Sequence, residues 1–380
     1  MPGSRVKAVV RHCFLVLGAI LALSATGCGD APDPGVPSGD DGTTRQTAGD
    51  GAATTAPGAA PTAAGVEDAF AYGVQFDTGE IWALDPDSGD AAVITTVGGP
   101  RSIRAAWFVK GELWVALTEE VVRIDATGEA LGVFDLEGVG HLVSDADAVW
   151  VEGGPVSAPP RVEPFFSRLD PATNTVANSI HREVLTGEFG NIADMVMGNG
   201  SLWISYLGTE REMEIDRIDP ETLEILGTTI TEIRPFSLAW GEGSLWAVGT
   251  PRTDLDEWML VEIGSDGIVR AQLPISDVGE ISFTFESVRF GLGGIWMADQ
   301  QMDQVIRFDP VTGTEVARVD FAGIGEIGNV HIARGRVWVE VEEQLFERTL
   351  FAIDPQTNEA TPMMTAPEDV TMFVFVEGDD

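Results

Sequence analysis

The chain has 380 residues, a formal charge of −39 and an apolar share of 44%, enough to bury a sizeable core in one large domain or two ordinary ones. Arginine carries almost all of the positive charge, because Lys7 and Lys110 are the only lysines. A surface of this sign repels nucleic acid and anionic lipid headgroups, favours cations and cationic partners, and also suits plain solubility in a salty medium.

The N-terminus reads as an export signal. Arg5, Lys7 and Arg11 precede the apolar run CFLVLGAILALSATG (13–27), a hydrophobic stretch too short for a comfortable membrane span. The tetrad Ala25-Thr26-Gly27-Cys28 resembles a bacterial lipobox, with alanine where leucine is commonest. Residues 1–27 are therefore expected to be a lipoprotein-type signal peptide, with lipidation at Cys28; an ordinary signal peptidase cutting after Gly27 is the alternative. The other cysteine, Cys13, lies inside the signal, so the mature chain would have no disulfide and no cysteine-based metal site. Acyl chains contribute about 0.8 kcal/mol per buried methylene, so a multiply acylated Cys28 would hold the protein on the outer face of the cell membrane.

Residues 28–66 are rich in Ala, Gly, Pro and Thr, and almost lack large apolar side chains. Such a segment cannot offset its ordering entropy by burial and is expected to remain a disordered tether.

From residue 67 to 380 one unit of about forty residues recurs. Trp114, Trp150, Trp203, Trp246, Trp296 and Trp338 share one frame, and each follows a tight turn containing Gly or Asp. Downstream stand Asp125, Asp170, Asp219, Asp309 and Asp354, four of them followed by proline. The unit reads as four short strands, a to d, with the tryptophan in b and the aspartate closing c. No convincing helical period interrupts it. Such a repeat predicts an all-β fold, a β-propeller of four-stranded blades.

The segment from Ala69 supplies strands b, c and d, with Trp82 in strand c and Tyr72 near the tryptophan slot; it has no strand a. The C-terminal DVTMFVFVEGDD reads as a strand a with nothing after it. Joining them closes a ring of seven blades and removes the exposed edges of an open array. Blade 3 carries a Pro-rich insertion between b and c, and blade 5 has GSDG in place of Asp-Pro.

In a propeller the a–b and c–d turns share one face. Here they are short and uniform, with Asp, Pro, Gly and Asn at positions that a turn itself explains. The same holds for Asp85 to Asp90, which only faintly suggests a calcium loop. The repeated tryptophans read as packing between blades. The b–c and d–a loops on the opposite face vary, and variation confined to one side of a repeat scaffold is where binding usually resides.

At the start of strand a the blades present Ala105, His141, Asp194, Ser237, Ser287, Asn329 and Met372, with Arg104 and Glu286 one residue earlier. Arg104, His141, Asp194, Glu286 and Asn329 form the candidate ligand-binding set at the mouth of the central channel; plain wetting of that channel also accounts for polar residues there. Asp194, Glu286 and His141 are of the type that holds a divalent cation such as calcium or magnesium. His331 reads as structural.

The elements P-x-S-L-A-W-G-E-G-S-L-W and R-I-D-P-E-T-L-E-I resemble the YncE and virginiamycin-B-lyase-like group of seven-bladed propellers, over roughly residues 68–380. The lyase members imply a magnesium ion and a catalytic histidine. Their repeats often carry Pro-His at the start of strand a, where this chain has Pro235-Phe236, so no catalytic residue is carried over. IWALDPDSGD also resembles a quinone-propeller repeat, without its terminal tryptophan. The chain has no Walker loop, HExxH, GxSxG or mature cysteine nucleophile.

Two functions follow. The first is a monomeric, cell-surface-tethered, non-catalytic module that binds a protein, carbohydrate or small molecule through its variable face, and no nucleic acid. The second is a metal-assisted lyase or hydrolase with its site at the channel mouth.

Overall fold

A computed structural model describes residues 69–376, apart from 146–147, 155–164, 182–184, 186–190, 209, 253–256, 276–287, 345–346 and 369. The expected signal peptide, Cys28, the tether, Glu286 and Ser287 lie outside the described residues, as do most of the blade-3 insertion and parts of the other variable loops.

The described residues form 28 strands, numbered β1 to β28 along the chain, in seven four-stranded antiparallel sheets arranged as a β-propeller. Six blades take four consecutive strands. Blade 1 is completed by the C-terminal strand β28 (Met372–Phe375), which pairs with β1 (Ala71–Val74) in the order β28-β1-β2-β3. The seven-bladed ring and its closure therefore match the sequence reading. The innermost strands of blades 2 to 7 are β4 (Ile103–Val109), β8 (His141–Ser144), β12 (Asn191–Gly198), β16 (Ile233–Gly241), β20 (Val288–Gly291) and β24 (Glu326–Ala333). Successive inner strands touch around most of the ring, while outermost strands such as β15 (Ile225–Ile230) are largely exposed.

The core lies between blades. Trp114, Trp150, Trp203, Trp246, Trp296 and Trp338 are all buried, and Tyr72 occupies the same slot in blade 1. Each sits in strand b opposite a residue of strand a: Trp114 opposite Trp107, Trp203 opposite Val196, Tyr72 opposite Val374. Trp82 lies in β2 (Glu80–Asp85), opposite Gly73, as the reading of blade 1 required. Fully burying an aromatic ring contributes about 2–3 kcal/mol. Seven such rings in one frame explain why the repeat keeps them.

The turn aspartates do what their position predicted. The Oδ1 of Asp309 accepts the N–H groups of Val311 and Thr312 at 2.9 and 2.8 Å, and that of Asp219 accepts those of Glu221 and Thr222 at 2.9 Å each. These donors, led by Thr312 and Thr222, hold both carboxyls below their ordinary range. Positive φ falls on Asn174, Gly313 and Asn358, as expected, but in blade 4 it falls on Leu223, at 61°. A leucine there carries a steric cost. Its side chain, 4% exposed, packs into the cluster between blades 3 and 4 beside Trp150 and Phe166, and that burial offsets the cost.

A second repeated device fastens each of several blades to the next. Arg123, Arg217 and Arg307 stand in strand c opposite the blade's tryptophan. Their guanidinium carbons lie 5.2, 5.9 and 4.9 Å from the centroids of Trp114, Trp203 and Trp296. Each donates to a carbonyl in the c–d turn of the following blade: Arg123 to Pro171 at 2.5 Å, Arg217 to Ser265 at 2.7 Å, and Arg307 to Pro355. Arg123 adds a two-pronged bond to Glu112, both arms at 2.8 Å. In blade 3 the Trp150 indole itself reaches the next turn, donating to Pro220 O at 2.9 Å.

Candidate functional site

Five of the seven positions in the expected frame share one register; Asn329 falls in a two-residue skip of β24, and Ser287 lies outside the described residues. Two residues past the tryptophan slot, strand b meets Ala105 with Ala116, His141 with Glu152, Asp194 with Ser205, Ser237 with Val248, and Met372 with Val74. Four inner strands break their pairing just there. The ladder skips a residue between Ile103 and Ala105, between Ile192 and Asp194, and between Pro235 and Ser237, and it skips two between Ile327 and Val330. A bulge bends the strand and re-aims the side chains beside it.

Arg104 is the bulged residue of β4 and is exposed. His141 opens β8, buried, with Nδ1 3.2 Å from Glu152 Oε2. Asp194 follows the bulge of β12 and is buried. Its Oδ1 accepts the N–H of Met195 at 2.7 Å, and its Oδ2 accepts the N–H of Leu238 at 2.7 Å. Leu238 belongs to β16 of the next blade, so Asp194 takes up an amide on the inner edge of a neighbouring sheet. Burial raises its pKa to about 7, against the pull of those N–H donors and of the charges on His141 and Arg289. Asn329 stands apart from this group. Its N–H donates to Glu340 Oε1 at 3.4 Å, while Arg348 holds Glu340 Oε2 at 3.1 Å and Thr371 O at 2.8 Å. Gly328 is needed beside it, because a Cβ there would lie 2.3 Å from the Glu340 side chain.

The structure thus brings His141 and Asp194 together, with Glu152 and Arg289 added, and separates Asn329 into a group that ties blade 7 to the closing strand. His331 faces Phe375, ring centroids 4.7 Å apart, as a structural residue would. Each Asp194 oxygen accepts one backbone N–H, and among the described residues no three His, Cys, Asp or Glu side chains gather to hold a metal ion; Glu286, the third carboxylate or imidazole of the expected set, lies outside the described residues.

Sequence reasoning missed one buried polar cluster altogether. On the b–c side of blade 4, Tyr206 Oη donates to Asp216 Oδ2 at 2.7 Å, Arg211 to the same oxygen at 2.7 Å, and Thr228 to Oδ1 at 2.6 Å. Arg211 also reaches Glu214 at 2.6 Å and the Leu185 carbonyl, and lies over the Tyr206 ring. Asp216 is fully buried, and burial followed by the Asp216 charge pushes the Tyr206 phenol well up. Every oxygen of this carboxylate is engaged, so the group rigidifies the loop and offers no free acid or base.

No family model and no curated protein matches the chain. Solved structures do resemble it. A streptogramin B lyase structure aligns with TM-score 0.53 at 12% identity, covering 79% of this chain and 89% of that one. The dihydro-heme d1 dehydrogenase NirN in complex with DHE aligns with TM-score 0.52 at 12% identity, covering 81% and 75%. BamB from Moraxella catarrhalis aligns with TM-score 0.46 at 13% identity, covering 70% and 74%. At such identities the likeness to the first two is one of fold alone.

Proposed function

We propose that the protein is a cell-surface-tethered binding module, held through Cys28, that engages a cationic protein partner with its b–c/d–a face. One observation carries this reading. On the a–b/c–d face the turn aspartates bond to their own turns and the strand-c arginines to the neighbouring blade, whereas the opposite face carries loops of unequal length that include many carboxylates. Asp303 there is pushed above its ordinary range by burial and by the like charges of Glu326, Asp299 and Asp320. A cation relieves that repulsion. The propeller fold supports the reading only as a scaffold used for many purposes.

The test compares proximity labelling on intact cells by three chains: the natural one, one with Glu232, Asp320 and Glu343 replaced by Arg, and one with Glu129, Glu221 and Glu224 replaced by Arg. All six residues are exposed, and the two sets lie on opposite faces. A partner lost only with the first set supports the reading; loss with both or neither overturns it. The mass of the mature N-terminus tests the anchor, an acylated Cys28 being expected.

A further inference from the structure

In blade 5 the bulge of the inner strand brings together side chains that a regular strand would separate. β16 pairs with β17 (Ser244–Pro251) as Arg234 with Thr250, Pro235 with Gly249, then Ser237 with Val248, so Phe236 is the extra residue. Residues three apart in a regular strand face opposite sides; the inserted Phe236 puts Arg234 and Ser237 on one side. That side carries Trp246, Val248 and Thr250 and packs against Val288 and Ile295 of blade 6. The two strands approach closely, since a Cβ on Gly249 would lie 1.9 Å from the Arg234 carbonyl oxygen.

Three polar side chains thus meet at the b–c end of the contact between blades 5 and 6, and none has a partner among the described residues. Ser237 Oγ and Thr250 Oγ1 belong to side chains 0% and 2% exposed, and neither makes a hydrogen bond; nor does the buried Nε of Arg234. Buried polar groups are almost always bonded, so a cluster of unmet ones asks what completes it. Blade 2 provides a comparison. Thr118, four residues past Trp114 as Thr250 is past Trp246, donates to the Ser102 carbonyl at 3.3 Å. Arg252, two residues beyond Thr250, is paired with Glu212 at 3.3 Å. Arg234 has no such carboxylate among the described residues, in a chain of charge −39.

We propose that Arg234, Ser237 and Thr250 bind the carboxylate of a small organic acid. The guanidinium supplies the charge and the two hydroxyls donate to the carboxylate oxygens. Phe236, whose ring centroid lies 5.8 Å from that of Trp258, gives the acid's tail an apolar neighbour. One unpaired guanidinium neutralises a single negative charge; phosphate would keep an excess charge against the acidic surface, so the site selects a monoanion. The hydroxyls are buried whereas Arg234 is half-buried, so the acid reaches them as the Arg234 side chain turns towards it. The site shares a face with the loops assigned above to a cationic partner, takes a ligand of the opposite sign, and does not rest on that assignment.

The test titrates the full chain, by calorimetry at fixed chloride concentration, with hydrocinnamate, with its neutral amide and with inorganic phosphate. Saturable binding of hydrocinnamate is expected, at least tenfold tighter than that of the amide or of phosphate. Arg234→Gln should weaken it at least tenfold. Arg270→Gln removes the same charge from the exposed edge of the same blade and should leave it unchanged. Thr250→Val is nearly isosteric and deletes a hydroxyl that meets nothing in the free protein. It should therefore raise the unfolding midpoint while weakening binding at least threefold, a pairing that a purely structural hydroxyl would not give. Absence of saturation, an equal response to the amide or to phosphate, or unchanged affinity in Arg234→Gln would overturn the proposal. So would a lowered midpoint in Thr250→Val, which would show that its hydroxyl is satisfied within the protein.

Discussion

Replacing Asp194 by Asn should change how stability depends on pH, in a direction fixed by the geometry. Burial lifts the carboxyl from 3.8 to about 7 in the folded protein, while the unfolded chain titrates near its ordinary value. Between these values the folded state binds the extra proton. Its contribution is fully present below pH 4 and is lost as pH rises through 7. Three pH units at about 1.4 kcal/mol each set the loss at about 4 kcal/mol. Asparagine cannot ionise, but its NH₂ can accept neither the Met195 nor the Leu238 N–H, so one bond of about 1 kcal/mol is forfeited at every pH. At pH 4.5 about 1 kcal/mol of the wild-type contribution is already lost, so the two proteins should be about equally stable there, and the variant should be the more stable by about 3 kcal/mol at pH 8.

Urea unfolding followed by tryptophan fluorescence at several pH values measures this, at a fixed 0.5 M salt. The control matters because a chain of charge −39 also loses stability with rising pH through self-repulsion. The difference between wild type and variant isolates Asp194. A difference that stays constant from pH 4.5 to 8 would refute the reasoning, and would mean that the two N–H donors keep the buried carboxylate fully ionised at neutral pH.

Further outcomes follow from the clasps, the turns and the closure. Arg123→Ala strands a partly buried Glu112 and the Pro171 carbonyl and should cost about 3 kcal/mol in urea unfolding, whereas Arg270→Ala, whose pair with Asp266 is half exposed on both sides, should cost about 0.5 kcal/mol or less. Leu223→Asn relieves the positive φ but exposes the blade 3–4 contact, so a net loss of about 1–2 kcal/mol is expected. Deleting residues 367–380 removes β28 and bares the edge of β1; the chain should associate or unfold, read by light scattering and circular dichroism. Below pH 4 the turn carboxyls of Asp170, Asp219 and Asp309, held low by their hydrogen bonds, become protonated, and stability should fall as pH falls through their folded values.

The blade count and the ring closure were legible because each rests on the Gly-x-Leu-Trp frame, in which a strand's period of two leaves no freedom once the tryptophan faces the core. Tyr72 kept that frame even where the tryptophan was missing. Glu152 and Glu340 escaped notice although they stand two residues past Trp150 and Trp338, on the tryptophan side, where other blades have Ala, Ser or Val. A charge at a position otherwise small and apolar was the available signal. The clasp could have been seen in the same way, as an arginine recurring two residues before the turn aspartate. Leu223 could not: DPETL lacks a glycine or asparagine, and only tertiary packing explains why leucine accepts the left-handed conformation there. The Asp194 bond to Leu238 was equally hidden, since it joins residues 44 apart through a bulge that pattern alone does not announce.

The two faces divide the work of the molecule for a physical reason. A clasp that reaches from one blade into the next turn constrains both the donor strand and the accepting turn, so the a–b/c–d side cannot vary without loosening the ring. The b–c and d–a loops are not parties to that contact and are free to differ in length and charge. Breaks in the repeat therefore carry more information than the repeat itself. Ala83, Glu262 and Ala352 occupy the positions where an arginine would otherwise fasten a neighbour, and the last of them lies at the seam where the ring is closed by a strand from the far end of the chain. A blade boundary that forgoes its clasp must be held by other means. Here Arg348 bonds to Thr371 at 2.8 Å and Arg336 to Asp87 at 2.8 Å, both around the seam and both replaceable without touching the tryptophan core. Replacing the two together should lower the unfolding midpoint more than the sum of the single changes if they share one closing contact. Strict additivity would show that each holds its own blade edge independently.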